Sequence, residues 1–185
     1  TLIVSLKEIV DCKEVTEMTK LGILGRRWLK AFHVLFSMTW IGAGITTTII
    51  PFVTGNTTAG AELYAYNEAI KMGDLIVIPC AVLCVITGLL LCWQTPWGFF
   101  KYWSVVIPLV VWAVAIVLGI ACLGPWTEDL VRISKAEGLA ALQNGEYLYV
   151  LQMMKVFGTV WISILIFGAF VSVIKPWGRI GKTKG

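Results

Sequence analysis

Four stretches of this chain carry almost no charge from end to end, at residues 28–52, 75–93, 103–123 and 155–174. A helix needs ~20 consecutive apolar residues to cross the hydrocarbon core of a bilayer. Each stretch meets that length, so each is expected to be a membrane-spanning helix. Only Lys30 and Lys155 place a formal charge inside them, both near an end where a long side chain can snorkel to the interface. Composition agrees with this reading: 58% of residues are hydrophobic and 14% charged, against about 45–50% and about a quarter in soluble domains. The expected fold is all-α: a polytopic membrane protein with four transmembrane helices in an antiparallel bundle. An N-terminal interfacial helix and an outer amphipathic helix complete it. The organisation follows as an arm over residues 1–27, a transmembrane domain over 28–179 and a basic tail over 180–185.

Orientation is read from Lys and Arg, which accumulate on the cytoplasmic side of membrane proteins. Of the 15 such residues, Lys7, Lys13, Lys20, Arg26, Arg27 and Lys30 precede or open the first span. Lys101 and the tail bring that side to eleven, leaving Lys71, Arg132, Lys135 and Lys155 opposite. Both termini are therefore expected in the cytoplasm, with the chain in a bacterial inner membrane. The first 27 residues are charged throughout and show no h-region, so no cleavable signal peptide is expected. The net charge of +4 is accounted for by these flanks, which argues against nucleic-acid binding. No paired carboxylates, nucleophile–His–acid set or phosphate-cradling glycine loop points to hydrolysis. Cys80, Cys84, Cys92 and Cys122 fall in or at the ends of spans and Cys12 in the arm, so free thiols acting as small hydrophobes are expected.

Punctuation fills in the connections. Ser5-Leu6-Lys7-Glu8 fits a capping box opening a short interfacial helix over 6–20. The segment 53–72 reads as a polar loop, with Asp74 capping the second span and Pro79 close to its beginning. The turn "WQTPWGFF" is short, so the second and third spans are expected to be antiparallel neighbours. Pro108 is a candidate kink in the third span. After "GPW", residues 127–142 read as an outer amphipathic helix with Leu130, Val131, Leu139 and Leu142 on its apolar side. Asn144-Gly145 ends it, and helical pattern resumes at Glu146. Trp28, Trp93, Trp97, Trp103 and Trp177 mark one interfacial belt, and Trp126, Tyr147 and Tyr149 the other. Trp40, Trp112 and Trp161 lie deeper, where each indole N–H wants a partner, and are expected to face the bundle.

The first span contains the single histidine of the chain, in "WLKAFHVLFSMTWIGAG". His33, Ser37, Trp40, Gly44 and Thr47 share one face of a 3.6-residue helix. A polar stripe on a spanning helix should face protein, because unsatisfied polar groups are costly in lipid. Gly42 and Gly44 allow a neighbouring helix or a flat ligand to approach closely. His33 lies five residues from Trp28, about 7.5 Å along the axis, and Thr87 lies at a similar depth from Trp93 on the antiparallel second span. These positions define a candidate polar pocket of His33, Ser37, Trp40 and Thr87, with Ser172 as a further lining residue.

Several local strings carry a resemblance. "VITGLLLCWQTPWGFFKYW", "LGPW" and "SVIKPWGR" resemble an uncharacterised bacterial family of four-span integral membrane proteins, over residues 28–179. The first-span string is similar, more distantly, to the opening helix of HemJ-type protoporphyrinogen oxidases and of copper-resistance membrane domains. In HemJ-type proteins a first-helix histidine is implicated in heme binding, and His33 is the matching position. After that helix this chain reads "IIPFVTG", where HemJ-type proteins carry a Pro-Arg dipeptide and a further histidine.

Three roles for His33 follow. It can hydrogen-bond a neighbouring helix and specify packing, ligate the iron of heme b, or titrate in proton-coupled transport or quinone binding. The expected function is heme b or porphyrin binding, or membrane redox chemistry, with His33 as metal ligand. With one histidine per chain, the sixth iron ligand would be Met, solvent or His33 of another copy. The alternatives are a small-solute or ion transporter, and a non-catalytic anchor subunit of a membrane complex. Expected partners are the lipid bilayer and either further copies of the chain or other membrane subunits.

Overall fold

The computed structural model describes residues 21–94, 102–174 and 180. The expected interfacial helix over 6–20, the 95–101 turn and the end of the basic tail lie outside the described residues. Among the described residues there are five α-helices: α1 (Ile23–Val53), α2 (Gly60–Gln94), α3 (Trp103–Leu118), α4 (Gly124–Glu137) and α5 (Gly145–Ile174). Among the described residues there is no β-strand, and four helices are long and apolar enough to cross a membrane: α1, α2, α3 with its continuation, and α5. The protein is an all-α, four-helix polytopic bundle.

The helices are longer than the apolar stretches. α1 starts at Ile23 and takes Pro51 into its last turn, where the Thr54 N–H closes on the Ile50 carbonyl. The largest departure is α2. The segment read as a polar loop over 53–72 is a short 3-10 turn, Thr54–Asn56, followed by helix from Gly60. Its polar residues conceal a buried face: Leu63, Asn67 and Ile70 recur at helical spacing and are shielded from solvent. Glu62 sits in the first turn, where a carboxylate complements the helix dipole. Asp74 is consequently no cap; it lies fourteen residues inside a continuous helix, and Pro79 is mid-helix rather than near a beginning.

α3 continues into α4 through a π turn, Gly119–Leu123, in which the Gly124 N–H reaches the Gly119 carbonyl. Pro125 stands at the start of α4. It has no N–H to donate and its ring crowds the carbonyl four residues back, which a widened turn accommodates. The outer amphipathic helix is thus an extension of the third span, with Leu130 and Val131 buried as expected and Leu139 exposed in the 3-10 turn that follows. Gly138 ends α4 with φ of 56°, a left-handed conformation that glycine adopts without strain. It lies directly against Gly60, where an added Cβ would sit 3.0 Å from Gly138 Cα and 2.9 Å from the Leu139 nitrogen. Asn144 then caps α5, its Oδ1 accepting the Glu146 N–H at 2.8 Å.

Around the bundle, α2 packs on α1, α1 on α5, and α5 on α3; α4 covers the ends of α2 and α5. α2 and α3 are consecutive in the chain yet do not form a packed pair, contrary to the expectation from their short connection. The reason is that α3 leans onto α5, with Trp161 and Val111 filling the α3–α5 seam. The core has two parts. At the α4 end, Leu63, Ile70, Leu130, Ile133, Tyr147 and Met154 pack together. Toward the opposite end, Trp40, Ala81, Cys84, Ala115, Trp161 and Leu165 form the second. Tyr147, expected in an interfacial belt, is 0% exposed, whereas Tyr149 is on the surface.

Candidate functional site around His33

α1 and α2 run antiparallel in a register that sets His33 against Thr87, Ser37 against Cys84, and Thr47 against Gly73. The His33 side chain crosses this interface. Its Nδ1 lies 2.9 Å from the carbonyl oxygen of Cys84 and 3.0 Å from Oγ1 of Thr87. A carbonyl oxygen can only accept, so the contact with Cys84 places the proton on Nδ1. Thr87 directs its own hydroxyl proton to the Leu83 carbonyl at 2.7 Å, which leaves Oγ1 free to accept from the imidazole. Nε2 is then the basic nitrogen, and none of the hydrogen bonds of the described residues involves it.

A second exchange locks the same turn. The Ser37 hydroxyl donates to the His33 carbonyl at 2.6 Å, so the 3.0 Å contact between Ser37 Oγ and Cys84 Sγ is made by the thiol donating. Cys84 thus holds α1 twice, through its carbonyl and through its thiol. The imidazole ring lies against Gly88, where an added Cβ would sit 3.1 Å from Cε1. Only glycine leaves the ring in place at that position without a neighbour giving way.

Of the pocket expected from the sequence, His33, Ser37 and Thr87 therefore come together. Trp40 shares their stripe but lies deeper, edge-on to Trp161 with ring centroids 6.2 Å apart. Its Nε1 is buried without a partner, as is that of Trp112, while Trp161 donates to the Ala115 carbonyl at 2.9 Å. Ser172 is exposed and makes no hydrogen bond to these residues. Met38 is 70% exposed and lines a shallow apolar groove with Arg27, Lys30 and Val34, on a face of α1 turned away from His33. It cannot share an iron with His33 of the same chain. The residues that sequence reading missed are Cys84 and Gly88. Cys84 had a signal, since it precedes Thr87 by one turn on the same face of α2.

Among the described residues no group of three His, Cys, Asp or Glu side chains could hold a bare metal ion. A single imidazole nitrogen suffices only for a metal that arrives with most of its ligands, as in a metalloporphyrin. His33 offers a ligating nitrogen in the matching tautomer. The chain matches no family model, no curated protein and no solved structure.

Proposed function

We propose that this chain is a multi-pass protein of a bacterial inner membrane, with cytoplasmic termini, that binds heme b or a related metalloporphyrin through Nε2 of His33. One observation carries the reading: Nδ1–H is committed to the Cys84 carbonyl, which orients the ring and presents the Nε2 lone pair. Metal-ligating histidines characteristically donate their other nitrogen to a carbonyl or carboxylate, which fixes the tautomer and raises the basicity of the ligating atom. Thr87 reinforces the orientation, and Gly88 gives the ring its space. A bound heme would supply reversible one-electron exchange; the protein supplies the ligand, its angle and an apolar surround. With Met38 on another face, His33 would be the residue of this chain that holds the group, and a second imidazole would have to come from a second copy of the chain. The bias of eleven basic residues to four supports the orientation.

Optical absorption of the purified full-length chain, expressed with heme supply, tests the reading. A Soret band in the wild type that disappears in His33→Ala is expected. Absence of the band in both proteins, or its persistence in His33→Ala, overturns it.

A further inference from the structure

α2 carries one acid within the apolar part of its length, and the register of the bundle gives its depth. At the α4 end, Lys155 of α5 lies over the Phe52 ring of α1 at 5.7 Å. One turn deeper, the Thr48 hydroxyl meets the Gly158 carbonyl. At that level Thr47 faces Gly73, so closely that a Cβ on Gly73 would collide with its methyl group. Asp74 follows Gly73 directly. The step from Phe52 to Thr47 is five residues, about 7.5 Å at the helical rise. From Trp28, which is 60% exposed and marks the opposite edge, to Thr47 is nineteen residues, roughly 28 Å. Against a hydrocarbon core about 30 Å thick, this depth puts Asp74 just inside the boundary at the α4 end, below the level of Lys155.

Its surroundings offer no compensation. Asp74 is half-buried, and among the described residues its carboxylate has no hydrogen-bond or ion-pair partner. α1 presents no titratable group from Phe36 to Val53, and the Thr47 hydroxyl is turned back to the Gly44 carbonyl. On α4, Arg132 is held by Asp129 at 2.9 Å and Glu146 at 3.0 Å, and Lys135 forms no ion pair with Asp74. Lys71, one turn nearer the α4 end of α2, is exposed and forms no ion pair with Asp74. Lys155 is occupied by Phe52. An unpaired carboxylate in an apolar medium is strongly disfavoured relative to the neutral acid, and such groups neutralise by taking up a proton.

We propose that Asp74 is a membrane-embedded proton-exchange site, accessible from the α4 side. The reaction is transfer of one proton from hydronium to the carboxylate, yielding the carboxylic acid and water, and its reverse. The α4-side boundary is its route to water, since Phe52 marks a level only about 7.5 Å above it. The site is independent of whether His33 holds a porphyrin, and its test does not read the heme.

Dicyclohexylcarbodiimide partitions into hydrocarbon and adds to a carboxylic acid in its protonated form, ending as a stable N-acylurea without loss of atoms. The full-length chain in liposomes is treated across a pH series and mapped by peptide mass spectrometry. Glu62, at the exposed start of α2, serves as the internal reference. Preferential labelling of Asp74 over Glu62, persisting to higher pH than any Glu62 labelling, is expected. Asp74→Glu should retain the adduct at residue 74, and Asp74→Asn should lose it while keeping its helical circular dichroism. Labelling of Asp74 no greater than that of Glu62, or the same pH profile at both, overturns the proposal.

Discussion

Nδ1 of His33 lies 2.9 Å from the carbonyl oxygen of Cys84, fifty-one residues away on the neighbouring antiparallel helix. That one contact chooses the tautomer, turns Nε2 into the basic nitrogen and pins α1 against α2. Because Ser37 returns a hydrogen bond to the His33 carbonyl and accepts one from the Cys84 thiol, the turn of α1 and the turn of α2 constrain each other. The single histidine of a spanning helix is thereby turned toward its neighbouring helix.

Gly88 sets the position of the imidazole. Gly88→Val is expected to displace the ring from the Cys84 carbonyl, since even a methyl group would stand 3.1 Å from Cε1. Loss of an outer-shell partner of a ligating histidine weakens metal affinity by about 10–100-fold. Heme titration of Gly88→Val should show a loss of that order, with the fold retained by circular dichroism.

The deep tryptophans are not equivalent. Trp161→Phe removes a buried hydrogen bond to the Ala115 carbonyl, a net loss of about 0.5–1.5 kcal/mol beyond the lost volume. Trp40→Phe removes an N–H that has no partner, so only the volume is lost. Thermal midpoints in detergent should fall further for Trp161→Phe than for Trp40→Phe; the reverse order would contradict the hydrogen-bond assignment.

Asn67 and Tyr147 are both buried at the α4 end, with Asn67 Nδ2 donating to Tyr147 Oη at 3.0 Å and to the Leu130 carbonyl at 3.3 Å. Tyr147→Phe leaves the amide under-satisfied, a cost of about 1–3 kcal/mol. Adding Asn67→Leu removes the stranded group. The double variant is expected to be less destabilised than the sum of the single ones, which a double-mutant cycle measures directly.

Two glycines of α1 should respond differently to a methyl group. A Cβ at Gly44 would stand 2.6 Å from the Trp161 ring, whereas one at Gly42 meets nothing within 4 Å. Overpacking of a filled core costs about 1–3 kcal/mol, so Gly44→Ala should lower the thermal midpoint in detergent. Gly42→Ala should leave the midpoint unchanged or raise it, because alanine is the better helix former.

How much of this was legible in the residues depends on the range of the interaction involved. The four spans are visible as uncharged stretches because transfer of a side chain into hydrocarbon is a local property, additive along the chain. The stripe containing His33, Ser37 and Trp40 is visible for a related reason: helical periodicity is a property of one segment. The first half of α2 was hidden for the opposite reason. Its tyrosines, glutamates and Asn67 read as loop, and only contact with α4 and α5 reveals that Asn67 and Ile70 have a buried side.

Segment length and hydropathy alone thus settle that this chain spans a membrane as a helical bundle. They leave open which helices touch: α3 leans onto α5 instead of returning along α2, because side chains such as Val111 and Trp161 find their glycine and alanine partners there. The partner of His33 also belongs to tertiary structure. A backbone carbonyl has no residue signature, since every position carries one, so only the register of α1 on α2 could select that of Cys84. The same register carries Asp74 from the apparent start of a span to a depth where its charge has no partner.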